Sequence, residues 1–172
     1  MQLVDAGQID LDASVQRYLP WFHVADEAAS AAITVRHLLN QTSGIAETTG
    51  LNNATSHDIS DGALEAQVRG FSTARLNHPA GEVFEYSSAN YDILGLIVQT
   101  VSGQAYGSYI REHIFLPLEM THAFTSDTEA MAQGLATGHR FWFGRPLPFV
   151  APYTRANQPS GFLIAGAEDM AH

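Results

Sequence analysis

The longest regular pattern in the chain is EYSSANYDILGLIVQTVSG, from Glu85 to Gly103. Tyr91, Leu94, Ile97, Val98 and Val101 recur at helical spacing and give one apolar face. Ser87 or Ser88 can accept a hydrogen bond from an unpaired N–H of the first turn, and Gly103 is placed to end the helix. Helices dominate the rest of the chain as well, and strand-like runs are too few to build a sheet. The tyrosine just ahead of this helix, Tyr86, has two readings: a ring packed beside the helix start, or a side chain placed there for chemistry.

Other segments follow the same logic. MQLVDAG reads as the last turns of a helix, with Met1, Leu3 and Val4 apolar and Gly7 as its stop. So few residues do not nucleate a helix, which leads us to expect that the element begins upstream. Asp12 is placed to cap a short turn that ends at Pro20, and Thr34 to cap a helix with Val35, Leu38 and Leu39 on its apolar face and Gly44 at its end. Residues 46–57 are small and polar, as in a surface loop. Asp58 or Ser60 should open a helix running to about Val68. QAYGSYIREHIF stacks Tyr106, Tyr109, Ile110 and His113 or Ile114 before Pro117 stops it. GHRFWFGRPLPFVAPY predicts a hairpin or an extended loop, and PSGFLIAGAEDMAH an apolar run with a helix start at its end. No internal repeat or low-complexity segment interrupts these elements.

Composition narrows the function classes. A net charge of −10 and a pI near 5.0 argue against nucleic acid or an anionic membrane as a partner. No apolar run reaches the ~20 residues that span a bilayer. There is no cysteine for a disulfide, thiolate site or thiol nucleophile. All 8 basic residues are arginine, so no P-loop, Schiff-base lysine or catalytic lysine is present in these residues. G-x-S-x-G is missing, and the 8 histidines lack H-E-x-x-H or similar ligand spacing.

Taken in order, LVDAGQIDLDASVQRYLP, ITVRHLLNQTSGI, HPAGEVFEYSSANYDILGLIVQTVSG, FLPLEMTHAF, GHRFWFGRP and QPSGFLIAGAEDMAH resemble the class C β-lactamase-like and penicillin-binding-protein-like serine hydrolases. The resemblance covers most of the chain. It implies a mainly α fold with a little β: the helical lobe of the β-lactamase/penicillin-binding-protein architecture, an α/β/α sandwich plus a helical region, truncated at both ends. Residues 1–172 would then be a single partial domain without the S-x-x-K segment before it and the sheet segment after it. In such enzymes the serine of S-x-x-K attacks a carbonyl and becomes acylated. A lysine and the tyrosine of a Y-x-N motif handle its proton, and a third motif lies beside the oxyanion hole. A serine hydroxyl needs such a base, and the developing oxyanion needs donors. A phenol with the ordinary pKa near 10 serves as base only where cations favour its anion.

By this resemblance Tyr86 is the general base and Ser88 stands at the asparagine position of the motif. Serine is shorter than asparagine and offers one hydroxyl, which weighs against a specific claim of β-lactam hydrolysis and keeps ester and peptide substrates open. The resemblance implies an acyl-enzyme hydrolase acting on a small molecule or peptide with a hydrolysable carbonyl. It implies no metal or cofactor, and an extracytoplasmic location. Without lysine the chain by itself is expected to be inactive, and faces that pack on a sheet in such folds could drive self-association. The alternative is a non-catalytic helical interaction domain. Ser43 and Ser160 read as turn residues, Glu168 and Asp169 as first-turn carboxylates favoured by the helix dipole, and Trp21 and Trp142 as buried rings rather than the wall of a cleft.

Overall fold

The computed structural model describes residues 1–51 and 57–171. Helices α1 (Gln2–Asp5), α2 (Glu27–Ala32), α3 (Val35–Leu39) and α4 (Ala63–Arg69) precede the long helix α5 (Ser88–Ser102). After it come α6 (Tyr106–Ile110), α7 (Asp127–Ala132) and α8 (Gln158–Gly161). Strand β1 (Ala123–Phe124) pairs antiparallel with β4 (Ile164–Ala165), and β2 (His139–Trp142) pairs with β3 (Arg145–Pro148) as a hairpin. The described residues are mainly α, and the two small sheets stay apart.

α5 is the axis of the packing. Ala89, Ile93, Leu96 and Ile97 are buried on it, against a core that includes Val15, Phe22, Ile33, Leu38, Ile45, Leu64, Val68 and Phe71. Gly103 ends the helix in the left-handed region at φ 71, where its N–H reaches the Gln99 carbonyl. Gly95 lets α8 approach, because a Cβ there would collide with the ring of Pro159. The apolar face expected from spacing is not the one buried most deeply. Tyr91 is exposed, while Leu94, Val98 and Val101 are only partly covered. Tyr91, Leu94 and Val98 line a groove of about 320 Å³ whose other wall includes Val4, Leu39 and Ile110.

Caps and boundaries correct several expectations. Thr34 caps α3 as expected, accepting from the His37 N–H at 3.2 Å while His37 Nδ1 accepts from the Thr34 N–H at 3.3 Å. The chain then turns at Gln41 (φ 58), so Gly44 is not the residue that ends the helix. Asp12 is not a cap. Its carboxylate takes a bidentate pair from Arg36 at 2.6 and 2.8 Å, which holds its pKa below the ordinary value, and Ser14 caps the turn Val15–Arg17 instead.

Asp58 bonds the Ser60 N–H in a local turn, and α4 starts later, at Ala63. Residues Glu47–Leu51 form a 3₁₀ turn, whereas 52–56 of the expected loop lie outside the described residues. The helix through QAYGSYIREHIF widens to a π turn at Arg111–Phe115, with the Tyr109 and His113 rings stacked at 4.3 Å. AEDMAH yields a 3₁₀ turn, Asp169–Ala171. Trp142 is exposed rather than buried, because it lies on the hairpin and not in the core.

Candidate active site

Tyr86 lies at the mouth of α5, and a single residue holds the main chain on either side of it. The Glu85 N–H donates to the Gln41 carbonyl at 2.8 Å, and the Ser87 N–H donates to Gln41 Oε1 at 2.9 Å. Gln41 is buried, and its left-handed backbone points carbonyl and amide toward this segment. The same Oε1 accepts from Asn90 Nδ2 at 2.5 Å, and Asn90 Oδ1 accepts the Ser43 hydroxyl proton at 2.6 Å. Ser43 Oγ in turn accepts the Ile45 N–H at 3.1 Å. The Ser87 hydroxyl does not cap α5 but donates to the Ala46 carbonyl at 3.1 Å. These bonds match the buried polar groups beneath Tyr86, each of which would cost ~1–3 kcal/mol if orphaned.

The ring above this frame is open. Tyr86 is 52% exposed, and its hydroxyl has no hydrogen-bond partner among the described residues. Farther along, burial, helped by Asp92, pushes the Tyr106 phenol up to about 12. Ser88 is the half-buried first residue of α5, and its Cβ packs against Gly50. Ser88 is two residues from Tyr86 in the chain, and among the described residues no hydrogen bond joins its Oγ to the Tyr86 hydroxyl.

A second buried polar group lies farther along α5. Asp92 is fully buried, with Asn157 Nδ2 donating to its Oδ2 at 2.9 Å. Burial raises its carboxyl to about 7, and the hydroxyl of Ser160 and the amides of Asn157 and Gln67 beside it pull the other way without offsetting that. Asn157 and Gln67 also share the Gly50 carbonyl, at 3.2 and 3.4 Å. The cluster therefore ties α5 to α4, to the 47–51 turn and to the segment entering α8.

Sequence reading missed Gln41, Asn90 and Asp92. Asn90 and Asp92 sit off the apolar stripe and read as solvent-facing, and the only available signal was Gln41 in the QTSG stretch. Ser160 donates to the Asn157 carbonyl at 3.1 Å, so both serines read as turn residues have fixed acceptors. Asp169 Oδ2 accepts the His122 N–H at 2.7 Å, and Glu168 is exposed. Trp21 is half-buried under the Arg69 guanidinium, 3.8 Å from the ring centroid. Among the described residues no three His, Asp or Glu side chains converge as metal ligands do.

The Beta-lactamase family model matches residues 1–172. The chain belongs to the β-lactamase family. It is 31% identical to Protein flp of Staphylococcus aureus (strain MW2) over 172 residues, which is 100% of this chain and 34% of that protein. It is 33% identical to Penicillin-binding protein 4 of Amycolatopsis lactamdurans, over 99% of this chain and 44% of that protein. The octameric penicillin-binding protein homologue from Pyrococcus abyssi superposes with a TM-score of 0.78 at 25% identity, over 99% of this chain and 40% of that one. The chain thus spans between about a third and a half of these relatives. Its fold is that of the β-lactamase/penicillin-binding-protein group, a family of related hydrolases. Among the described residues, no helix is long and apolar enough to cross a membrane.

Proposed function

We propose that this chain supplies the tyrosine side of an acyl-transfer site in a serine hydrolase of the β-lactamase family. The observation that carries the reading is the frame under Tyr86: a half-exposed phenol with a free hydroxyl, on a main chain bound to Gln41 at both neighbouring residues. Such preorganisation suits a base that must meet a hydroxyl proton at hydrogen-bond distance. The nucleophilic serine and its lysine would come from outside these residues, because the sequence contains no lysine and hence no S-x-x-K.

In the proposed reaction the serine oxygen adds to the substrate carbonyl as its proton passes to the Tyr86 oxygen, with the lysine cation favouring the phenolate. Collapse of the tetrahedral intermediate expels the alcohol or amine, which takes that proton, and water then releases the acyl group by the same sequence in reverse roles. Ser88, at the place of the motif's asparagine, would offer the substrate one short hydroxyl. That favours an ester or peptide over a tightly held β-lactam amide. The substrate class is a small molecule or peptide with a hydrolysable carbonyl, met outside the cytoplasm.

The test is a chimera in which residues 1–172 replace the matching segment of the Amycolatopsis penicillin-binding protein, assayed for acylation by a labelled penicillin and an activated ester. Tyr86→Phe should slow acylation by roughly 10²-fold or more with the fold unchanged. An unchanged rate would return Tyr86 to a packing role.

A further inference from the structure

The β2–β3 hairpin is built unlike the rest of the molecule. Every residue of both strands is exposed, so neither face packs on the body. Its large apolar side chains are bare: Phe141 is 78% exposed, Trp142 58%, Phe143 91% and Val150, just beyond, 75%. Register places Trp142 opposite Arg145 and Arg140 opposite Leu147, so one face alternates cation and apolar group. The Arg140 guanidinium lies over the Phe149 ring at 5.3 Å and the Trp142 ring at 6.0 Å.

The turn itself adds an independent sign. Phe143 and Gly144 both have positive φ, 47 and 77. A two-residue turn of this kind prefers Asn-Gly, and a bulky ring in the left-handed region is disfavoured by roughly 1 kcal/mol. Phe143, the most exposed large apolar side chain among the described residues, thus occupies the position where its own backbone gains least from it. A surface beyond these residues would give that ring its contact.

Charge indicates what that is. Between Glu129 and Glu168 the sequence contains no carboxylate, although the chain as a whole is at −10; of the three arginines there, Arg155 pairs with Asp61, whereas Arg140 and Arg145 on the hairpin have no carboxylate partner among the described residues. We infer that the hairpin is a peripheral docking element for an anionic lipid surface. Phe143 and Trp142 enter the interfacial region, and Arg140 and Arg145 sit at the level of the phosphates. The acidic body does not prevent this. A four-residue strand projects about 13 Å, beyond the screening length of about 8 Å at physiological salt. The arginines near the tip therefore feel the lipid charge more strongly than the carboxylates behind them. The inference is independent of the role proposed for Tyr86.

Vesicles of phosphatidylcholine alone and of an equimolar phosphatidylcholine–phosphatidylglycerol mixture test it by co-sedimentation, with Trp142 emission read in a Trp21→Phe background. The anionic vesicles should bind the chain, shift Trp142 emission to the blue, and release it as salt is raised. Phe143→Asn suits the turn better than the native residue, so it leaves the fold intact, and it should weaken binding by at least about tenfold. Arg140→Gln and Arg145→Gln should each weaken it about fivefold. Absence of binding to the anionic vesicles would overturn the inference. So would equal binding to both vesicle types that Phe143→Asn leaves unchanged. A dimer in sedimentation velocity that Phe143→Asn dissolves would instead give the hairpin to a second copy of the chain.

Discussion

Replacing Asp92 with asparagine isolates the largest electrostatic perturbation in the core. In the folded chain burial holds this carboxyl at about 7, against an ordinary value of 3.8 that the unfolded chain restores. Between those two values the folded state keeps a proton that the unfolded state has lost. Protonation therefore favours folding, and the stability it gives is present at pH 5 and fades as pH rises through 7. From pH 5 to pH 8 the linked loss is about 2.5 kcal/mol. Asp92→Asn keeps an acceptor for Asn157 Nδ2 and cannot ionise. Urea unfolding at pH 5 and pH 8, followed by circular dichroism, should show the native chain losing about that much more than the variant. At pH 8 the variant should be the more stable of the two. Histidine titrations occur in both proteins and cancel in the comparison. The same fall in both would refute the assignment and show that water or a structural adjustment relieves the buried carboxylate.

Gln41→Met keeps the side-chain length and removes the acceptor shared by Ser87 N–H and Asn90 Nδ2, so stability should drop by about 2–4 kcal/mol; a loss below ~1 kcal/mol in urea titration would mean that those donors find water. The chain incubated with a labelled penicillin and a fluorophosphonate should show no adduct by intact mass. No lysine is present to activate a serine, and Ser30, Ser43, Ser87, Ser102 and Ser160 each donate to a fixed acceptor. A stoichiometric adduct on any serine would reverse that conclusion. The groove along Leu94 and Val98 should bind an apolar dye or drive self-association, and a monodisperse monomer with little dye binding would count against it.

The sequence by itself determined the elements whose signal is local. The spacing of Ile97 and Val98 with Gly103 behind them set the length and end of α5, because period and left-handed stop are properties of the chain alone. Thr34 announced α3 for the same reason, and the order of short matching stretches from LVDAGQIDLD to QPSGFLIAG identified the family before any coordinate. Tyr86 was legible as a candidate only through that resemblance.

Tertiary structure decided which side of α5 is buried, because Gly95 admits Pro159 on a face that residue types leave undistinguished. It decided that Gln41, through an unusual backbone angle, binds both neighbours of Tyr86, a contact separated by more than forty residues that no periodic pattern encodes. It turned Asp92 from an ordinary helix carboxylate into a buried acid, since a pKa belongs to an environment and not to a residue type. It left Trp142 in solvent beside Phe143, where the residue type of the tryptophan predicted burial. A hairpin hides its rings only when another layer packs on it, and packing between layers is what a sequence encodes least directly.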